Sequence, residues 1–442
     1  MVNRETAMRI LTRLRAAGHV AYFAGGCVRD MLLGVEPEDY DIATSATPEE
    51  VMKLFPQAIS VGAKFGVVTV PEGGAHYEIA TFRADGPPLN GRRPASVRFC
   101  DARGDVRRRD FTINGMLYDP ITGEVLDWVG GQEDLKRRVV RTIGRPHERF
   151  LEDRLRMVRA VRFAARLEFA IEEKTYEAIR QLAPEVRAVS AERLRDELLR
   201  ILTTRHAGRG LRLLHDTGLL RHILPEVEAL VGVDQPPDFH PEGDVFEHTC
   251  RMLDLANEPS PELALGILLH DVGKPQTQRV MERIRFDDHD AVGAEMAREI
   301  CARLRCSRAQ SEQVVALVGQ HMRLMHAREM KESTLRRLLA LPRFEEHLEL
   351  HRLDCLASHG KLDNWQFLIA ARERFVHEKP VPSPLLTGHD LIALGLTPGP
   401  LFGKILRDVQ EQQLERRLNS RQEALDYVRR QYLAPGATGA GP

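Results

Sequence analysis

Asp39 and Asp41 flank one tyrosine in "EPEDYDIAT", a stretch that packs four carboxylates between Glu36 and Asp41. On a strand, residues i and i+2 point to the same side. Two acids held that way repel unless a cation sits between them. The pair is therefore a candidate divalent-metal site built from oxygen ligands. Just upstream, "FAGGCVRD" places Gly25 and Gly26 at a strand-to-helix turn. Missing side chains there let a phosphate approach the backbone, and the helix N-terminus offers free N–H groups. Arg29, in the first turn, can add a charged fork to the same phosphate. Glu78 in "YEIATFR" lies on a neighbouring predicted strand as a candidate third acid, against the simpler reading of a solvent-facing residue. Together these parts fit nucleotidyl transfer, with metal ions on Asp39 and Asp41 neutralising a triphosphate and activating an attacking hydroxyl.

A second set lies in "EDRLRMVRAVRF", where Asp153, Arg156, Arg159 and Arg162 recur every three residues and are expected on one helical face. A solvated basic stripe is the plain reading. The chemical reading is base recognition. Cytosine and adenine both offer an amino donor beside a ring-nitrogen acceptor, whereas guanine and uracil offer the reverse order. One carboxylate beside one guanidinium satisfies C or A and mispairs against G or U, and buried groups left unpaired make such discrimination large.

The third set is helical. "LALGILLHDVGKP" reads as an apolar helix ending in His270 and Asp271, a doublet that is costly to bury unless it coordinates something. His248 lies upstream, and His289, His321 and Asp354 lie downstream. Imidazole and carboxylate ligands suit Mg, Mn, Ni or Zn, and spacing alone does not choose among them. Nine of the seventeen histidines fall between His240 and His359, which sets this region apart as a place for a second chemistry. His389 and Asp390 form another doublet, read here as structural.

These residues need scaffolding elements, and the pattern supplies them. A charged amphipathic helix (about 4–17) leads to the strand "VAYFAGG", a helix at "CVRDMLLG", the acidic strand "DYDIAT", a helix "TPEEVMKLF" with Thr47 as N-cap, and strands "FGVVTV" and "YEIATF". "DGPPLNGRRPAS" reads as a mobile loop. From about 146 the periodicity is helical, with a Pro/Gly-rich linker near 234–244 and a low-complexity tail "APGATGAGP". At 442 residues and 43% hydrophobic content the chain is expected to form several globular domains. It has no long apolar run or signal-like start, and its six cysteines include no CxxC pair. Those features lead to the expectation of a reducing cytoplasm, away from membranes. The net charge of −1 does not advertise a nucleic-acid partner, but "GDVRRRDF", "LKRRVVRTIGRP" and "RLRMVRAVRFAAR" are locally basic.

Four segments, "FAGGCVRDMLLGVEPEDYDIAT", "RRDFTINGMLYDP", "RFLEDRLRMVRAVRFAARL" and "SAERLRDELLRIL", resemble the ordered motifs of class II (bacterial-type) CCA-adding tRNA nucleotidyltransferases and their poly(A) polymerase relatives, over essentially the whole chain. The resemblance implies an α+β polymerase-β-like nucleotidyltransferase head (1–145), followed by an all-α neck (146–205), a body (206–360) with an HD domain at about 240–360, and a tail (361–442). It implies Mg2+ on Asp39 and Asp41 and a template made by Asp153 and Arg156, with Arg159 and Arg162 near base and phosphates. Arg109, Asp110 and Asn114 match a segment contacting nucleotide and ribose, and Glu192, Arg193 and Glu197 a motif that stiffens the pocket. Arg154 and Gly115 depart from the usual residues of the family at those places. CTP, ATP and tRNA are the implied partners, and the loop at 86–98 is a candidate for switching from C to A.

The HD region resembles the HD phosphohydrolases. That likeness implies His248, His270, Asp271 and Asp354 as the minimal ligand set, His289 and His321 for a second metal, and Lys274 to meet a phosphate. "LLTGHDLIALGLTPGPLFGKIL" resembles a tail motif, expected as a turn between two helices. The rivals are a poly(A) polymerase, a CC-only or A-only enzyme, or an RNA-binding protein whose main activity is HD phosphohydrolysis.

Overall fold

The computed structural model describes residues 3–60, 65–86, 88–89, 93–94, 97–235, 243–280, 284–375 and 382–433. They gather into two compact units. The first holds Met1–Asp234, Asp244–Leu268 and Glu299–Ser307; the second holds Gln235–Gly243, Leu269–Arg298 and Arg308–Pro442.

The first unit opens on helix Arg4–Ala16, capped where Asn3 Oδ1 accepts from Thr6 N (2.8 Å). Its buried Ile10, Leu11 and Leu14 share the core with Phe23, Ile42, Val68, Val70 and Ile79. The six-stranded mixed sheet runs in the order Glu124–Leu126, Leu117–Asp119, Ala21–Ala24, Ile42–Thr44, Ala75–Thr81, Val67–Glu72. Only the pairing of Ile42–Thr44 with Ala75–Thr81 is parallel, in the register Ile42↔Ile79. The two three-residue strands at 117–126 escaped the sequence pattern, because so short a segment carries no periodicity.

Two expectations need correction. Asp39 and Asp41 do not lie on the strand, which begins at Ile42. They occupy the extended approach to it. The alternation nonetheless persists: Tyr40 is buried with its ring 5.3 Å from Phe23, so the acids on either side face away from the core. Asp153 is not on a helix with the three arginines either. Helix Pro146–Glu152 ends, Asp153 adopts extended angles (φ −146°, ψ 105°), and a second helix, Leu155–Arg166, carries Arg156, Arg159 and Arg162.

Beyond this break the described residues of the first unit are helical, apart from the two-residue strand Ala170–Ile171, which pairs in parallel with Val139–Val140. Helix Leu155–Arg166 buries nine of its residues, including Met157, Val158, Val161 and Ala164, so it forms a central post. Helix Ala207–Asp216 packs closely at Gly210, where a Cβ would meet Ile201 Cγ2 at 2.4 Å. Much of the expected loop at 86–98, most of the linker near 234–244 and the tail "APGATGAGP" lie outside the described residues. The described base of the loop is a ladder, with Arg83–Asp85 antiparallel to Val97–Phe99.

Among its described residues the second unit is helical except for a pairing of Gln278–Val280 with Ile284–Phe286. One core gathers Leu324, Leu338, Phe344, Leu368 and Phe375. Another gathers Leu391, Ile405, Val409 and Val428 around helices Gly388–Ala393 and Pro400–Leu414, which flank the expected turn. Asp390 caps the first of these with Thr387 and pairs with Arg421, a structural role. Among the described residues no helix is long and apolar enough to cross a membrane.

Thr47 caps helix Pro48–Leu54 in a reciprocal box: Glu50 N donates to Thr47 Oγ1 (3.4 Å) and Thr47 N donates to Glu50 Oε2 (2.8 Å). Thr47→Ala is expected to weaken this segment by about 1 kcal/mol, read as faster amide exchange in residues 48–54 against an unchanged second unit.

Candidate active site and metal centre

One cavity of about 1230 Å³ opens in the first unit, and its wall includes Gly25, Asp39, Asp41, Arg109, Asp153 and Arg156. Gly25 has φ +77°, and a Cβ there would come within 3.0 Å of Arg109 Nη1, so only glycine fits without displacing the arginine. Glu78 stands outside the cavity wall but next to Asp41 by the strand register. Burial first, then the charges of Asp39 and Glu78, push the Asp41 carboxyl up to about 7, with Arg109 opposing. Asp39 and Glu78 thus lie close enough for their charge to act on Asp41, a repulsion that a hard divalent cation would relieve.

The expected free fork of Arg29 is engaged already. The side chain is 3% exposed, donates to both Asp30 oxygens (2.8 and 2.9 Å) and gives Nη1 to Asn114 Oδ1 (2.9 Å). A buried guanidinium needs such acceptors, so Arg29 holds Asn114 in place. Asp105, wholly buried, plays the same part for Arg108 and Arg109.

The remaining predicted residues converge on the same cavity through pairs far apart in sequence. Arg159 donates to Asp110 Oδ2 (2.8 and 2.6 Å), and its charge holds the Asp110 carboxyl below the usual range. Arg162 pairs with Glu197 (3.1 Å), and burial lowers its pKa to about 10. Arg193 grips Asp153 bidentately, Nη1 to Oδ1 (3.1 Å) and Nη2 to Oδ2 (2.8 Å). Arg156 donates to the Arg149 carbonyl (3.0 Å) and to Glu152 (2.7 Å). Glu192 is exposed and does not line the cavity.

Helix Pro261–Leu269 belongs to the first unit as far as Leu268, and the doublet just past its end belongs to the second. Asp271 is 2% exposed, with His270 Nε2 at 3.1 Å, His289 Nε2 at 3.4 Å and His321 Nε2 at 3.9 Å. His289 Nδ1 meets the Phe286 carbonyl (2.8 Å) and His321 Nδ1 the Val318 carbonyl (2.6 Å). With the Nδ1 protons donated to these acceptors, neutral rings would turn their Nε2 lone pairs toward each other, the two Nε2 atoms being 3.2 Å apart, and toward Asp271. Facing lone pairs repel unless a proton or a metal lies between them, so this donor set fits a divalent ion. Ligand atoms of His270 and Asp354 lie within 4.8 Å. His248 is buried on helix Val245–Leu255 of the first unit. Lys274 departs from expectation: it is 6% exposed, with Nζ bound to Asp271 (2.7 Å) and Gln235 (2.6 Å), because a buried ammonium must find counter-charge.

Three family models match in the same order as these features: a poly A polymerase head domain over 21–141, a probable RNA- and SrmB-binding site of polymerase A over 168–230, and an HD domain over 245–356. CCA-adding enzymes of Geobacillus kaustophilus and Geobacillus stearothermophilus are 47% identical over 228 residues and 46% identical over 216. These alignments take in 51% and 49% of this chain, and the chain spans about half the length of those curated relatives, 56% and 53%. A solved structure of a Bacillus stearothermophilus CCA-adding enzyme in complex with CTP is 30% identical, covers 96% of both chains and superposes with a TM-score of 0.76. The chain belongs to the CCA-adding enzyme family.

Two local departures from the pattern of CCA-adding enzymes have packing explanations here. Gly115 has Ile143 and Val129 where an alanine methyl would go (2.7 and 2.9 Å), and Arg154 is spent on Glu185 (3.0 Å). Asp105 was not among the sequence candidates, although its spacing of three and four residues to Arg108 and Arg109 on a short helix is a readable signal.

Asp41 also yields a measurable proton. Its folded pKa lies above the unfolded value, so the ionised form is disfavoured, and the carboxylate costs stability increasingly as pH rises from about 4 to 7. A divalent cation reverses that preference. Mg2+ binding at pH 7 is expected to release about half a proton from this site, read as calorimetric enthalpies that differ between buffers of unequal ionisation heat. Equal enthalpies would refute it.

Proposed function

We propose that this chain is a template-independent nucleotidyltransferase that builds or repairs the 3′-terminal CCA of tRNA, using CTP and ATP and releasing pyrophosphate. The observation that carries this reading is that one cavity presents the paired acids Asp39 and Asp41 together with the couple Asp153 and Arg156. Asp39 and Asp41 would hold a Mg2+ ion, which would supply charge to the triphosphate and acidity to the attacking RNA hydroxyl. Gly25 leaves the backbone open to phosphate, Arg109 adds positive charge steadied by Asp105, and Asn114, held by Arg29, keeps its amide donors for a ribose hydroxyl. The RNA 3′-hydroxyl attacks the α-phosphate and pyrophosphate leaves.

Asp153 still has lone pairs beyond the two used by Arg193, and Arg156 still has donors beyond those given to Arg149 and Glu152. The couple therefore accepts from the amino group and donates to the ring nitrogen of C or A. Arg159 and Arg162 flank it, locked by Asp110 and Glu197. The number of additions is set by how the growing end fills this one pocket, with residues 86–98 as the candidate switch. The organisation is a head at 1–145, neck at 146–205, body at 206–360 and tail at 361–442, in a cytoplasmic protein.

A second activity rests on the lone pairs gathered at Asp271. His270, Asp271 and Asp354, with His248, and with His289 and His321 for a second ion, would hold Mn, Ni, Zn or Mg for metal-assisted phosphoester hydrolysis. Lys274 already sits on Asp271, so there it tunes the carboxylate instead of meeting substrate.

Incubated with all four ribonucleotides and tRNA ending before, within or after CCA, the protein should complete CCA and stop. A long A tail, or uridylate and guanylate incorporated as readily as cytidylate, would sink this reading. Asp39→Asn with Asp41→Asn should lower addition by at least about a thousandfold. Asp271→Ala should leave addition intact while removing metal-dependent hydrolysis of a nitrophenyl phosphodiester. The opposite pattern, addition lost only with Asp271, would favour an HD enzyme that merely binds RNA.

A further inference from the structure

Helix His289–Arg303 ends in the first unit, and two backbone hydrogen bonds fix how it ends. Cys306 N donates to the Cys301 carbonyl (2.9 Å), Arg305 N donates to the Ala302 carbonyl (3.1 Å), and Arg305 takes a left-handed φ of +57°. This nested pair is the Schellman motif, which folds the chain past the helix end back over the last turn. The motif sets the side chains of its outer bonded pair against each other, and an apolar contact is usual there. In this chain both residues are cysteines.

The pair is asymmetric. Cys301 is buried at 0% exposure, whereas Cys306 is half-buried. The helix end carries the negative pole of its dipole, which by itself opposes a thiolate. Arg195, on helix Ala191–Leu202, counters it by donating Nη1 to the Arg305 carbonyl, next to Cys306. A hydrogen bond from the Cys301 thiol, and then the Arg195 charge, hold the Cys306 thiol below its usual range against burial and Glu262. The other half-buried cysteine, Cys100, is pushed the opposite way by burial and by Asp105. Accessibility and thiolate character therefore coincide at Cys306, with a second sulfur in contact.

We propose that Cys306 and Cys301 form a reversible disulfide couple, with Cys306 as the attacking sulfur and the buried Cys301 as the resolving one. The oxidant is a small-molecule disulfide. The Cys306 thiolate attacks one of its sulfurs, that S–S bond breaks, and the first small thiolate leaves with a proton from solvent. The Cys301 sulfur then attacks Cys306 Sγ, its proton passing to the second small thiolate as that leaves. One protein disulfide forms, and two electrons and two protons reduce the oxidant to two thiols. The closed loop spans only Cys301 to Cys306, so closure constrains the unfolded chain little and the bridge stays easy to reduce. It suits a sensor of thiol oxidation, not a structural staple. Arg195 shares its helix with Arg193 and Glu197, which hold Asp153 and Arg162 of the cavity wall, so the bridge forms against the element that steadies the pocket.

The test is a titration of the full chain in glutathione buffers of rising oxidised fraction, quenched with acid and read by intact mass and by mapping of linked cysteines. Two of the six thiols should be lost together, with the mass lower by two hydrogens, a link between Cys301 and Cys306, and full return with dithiothreitol. C306S should gain neither bridge nor glutathione, because oxidised glutathione does not reach the buried Cys301. C301S, or C301A where serine is not tolerated in the core, should instead retain a glutathione on Cys306 that no second sulfur removes. A wild-type chain that keeps both thiols, stops at glutathione on Cys306 or links other cysteines overturns the couple. So does a bridge or adduct at Cys301 in C306S. The wild-type titration gives its answer even where neither variant at Cys301 folds.

Discussion

Charge compensation is the constraint on which the first unit depends. Taking a guanidinium or carboxylate out of water costs several kcal/mol unless an opposite charge and hydrogen bonds replace the solvent. The cavity wall meets this constraint pair by pair: Asp105 under Arg108 and Arg109, Asp110 under Arg159, Glu197 under Arg162, Arg193 over Asp153. Each pair also removes rotational freedom, so the groups that face the cavity are held in place before any ligand arrives. Stiffness and solubility of the buried charge are here the same interaction.

The acids at the other end follow the opposite rule. Asp41 feels the like charges of Asp39 and Glu78 with Arg109 opposing, and its raised pKa records the imbalance. An uncompensated cluster beside a fully compensated one is a division of labour. The second unit repeats the logic with imidazoles. Backbone carbonyls take the Nδ1 protons, turning the Nε2 atoms of His289 and His321 inward to Asp271, while Lys274 partly balances that acid.

Much of the fold is legible along the chain. Helix Arg4–Ala16, the Thr47 cap, the strands at Ala21–Ala24, Val67–Glu72 and Ala75–Thr81, and the helical remainder all follow from periodicity and capping. Where the pattern misled, a local event intervened. The buried Tyr40 preserved alternation without strand pairing for Asp39. The break at Asp153 interrupted a run of arginines whose i+3 spacing reads as one unbroken helix. Three-residue strands at 117–126 left no signal at all.

The sequence alone determined which chemistry the chain carries: two acids one residue apart, two glycines at a turn, an acid three residues before an arginine, and a histidine–aspartate doublet after an apolar helix. Side-chain type and short spacing are local properties, so they survive without coordinates. Tertiary structure alone decided which charge answers which. Asp153 and Arg193 are 40 residues apart, Asp110 and Arg159 are 49, and Arg29 and Asn114 are 85. At such separations the energy of a pair depends on burial and on the approach of whole helices, and neither is written in any window of the chain. That is why the hydrogen bond from Arg29 to Asn114 appears only in the fold.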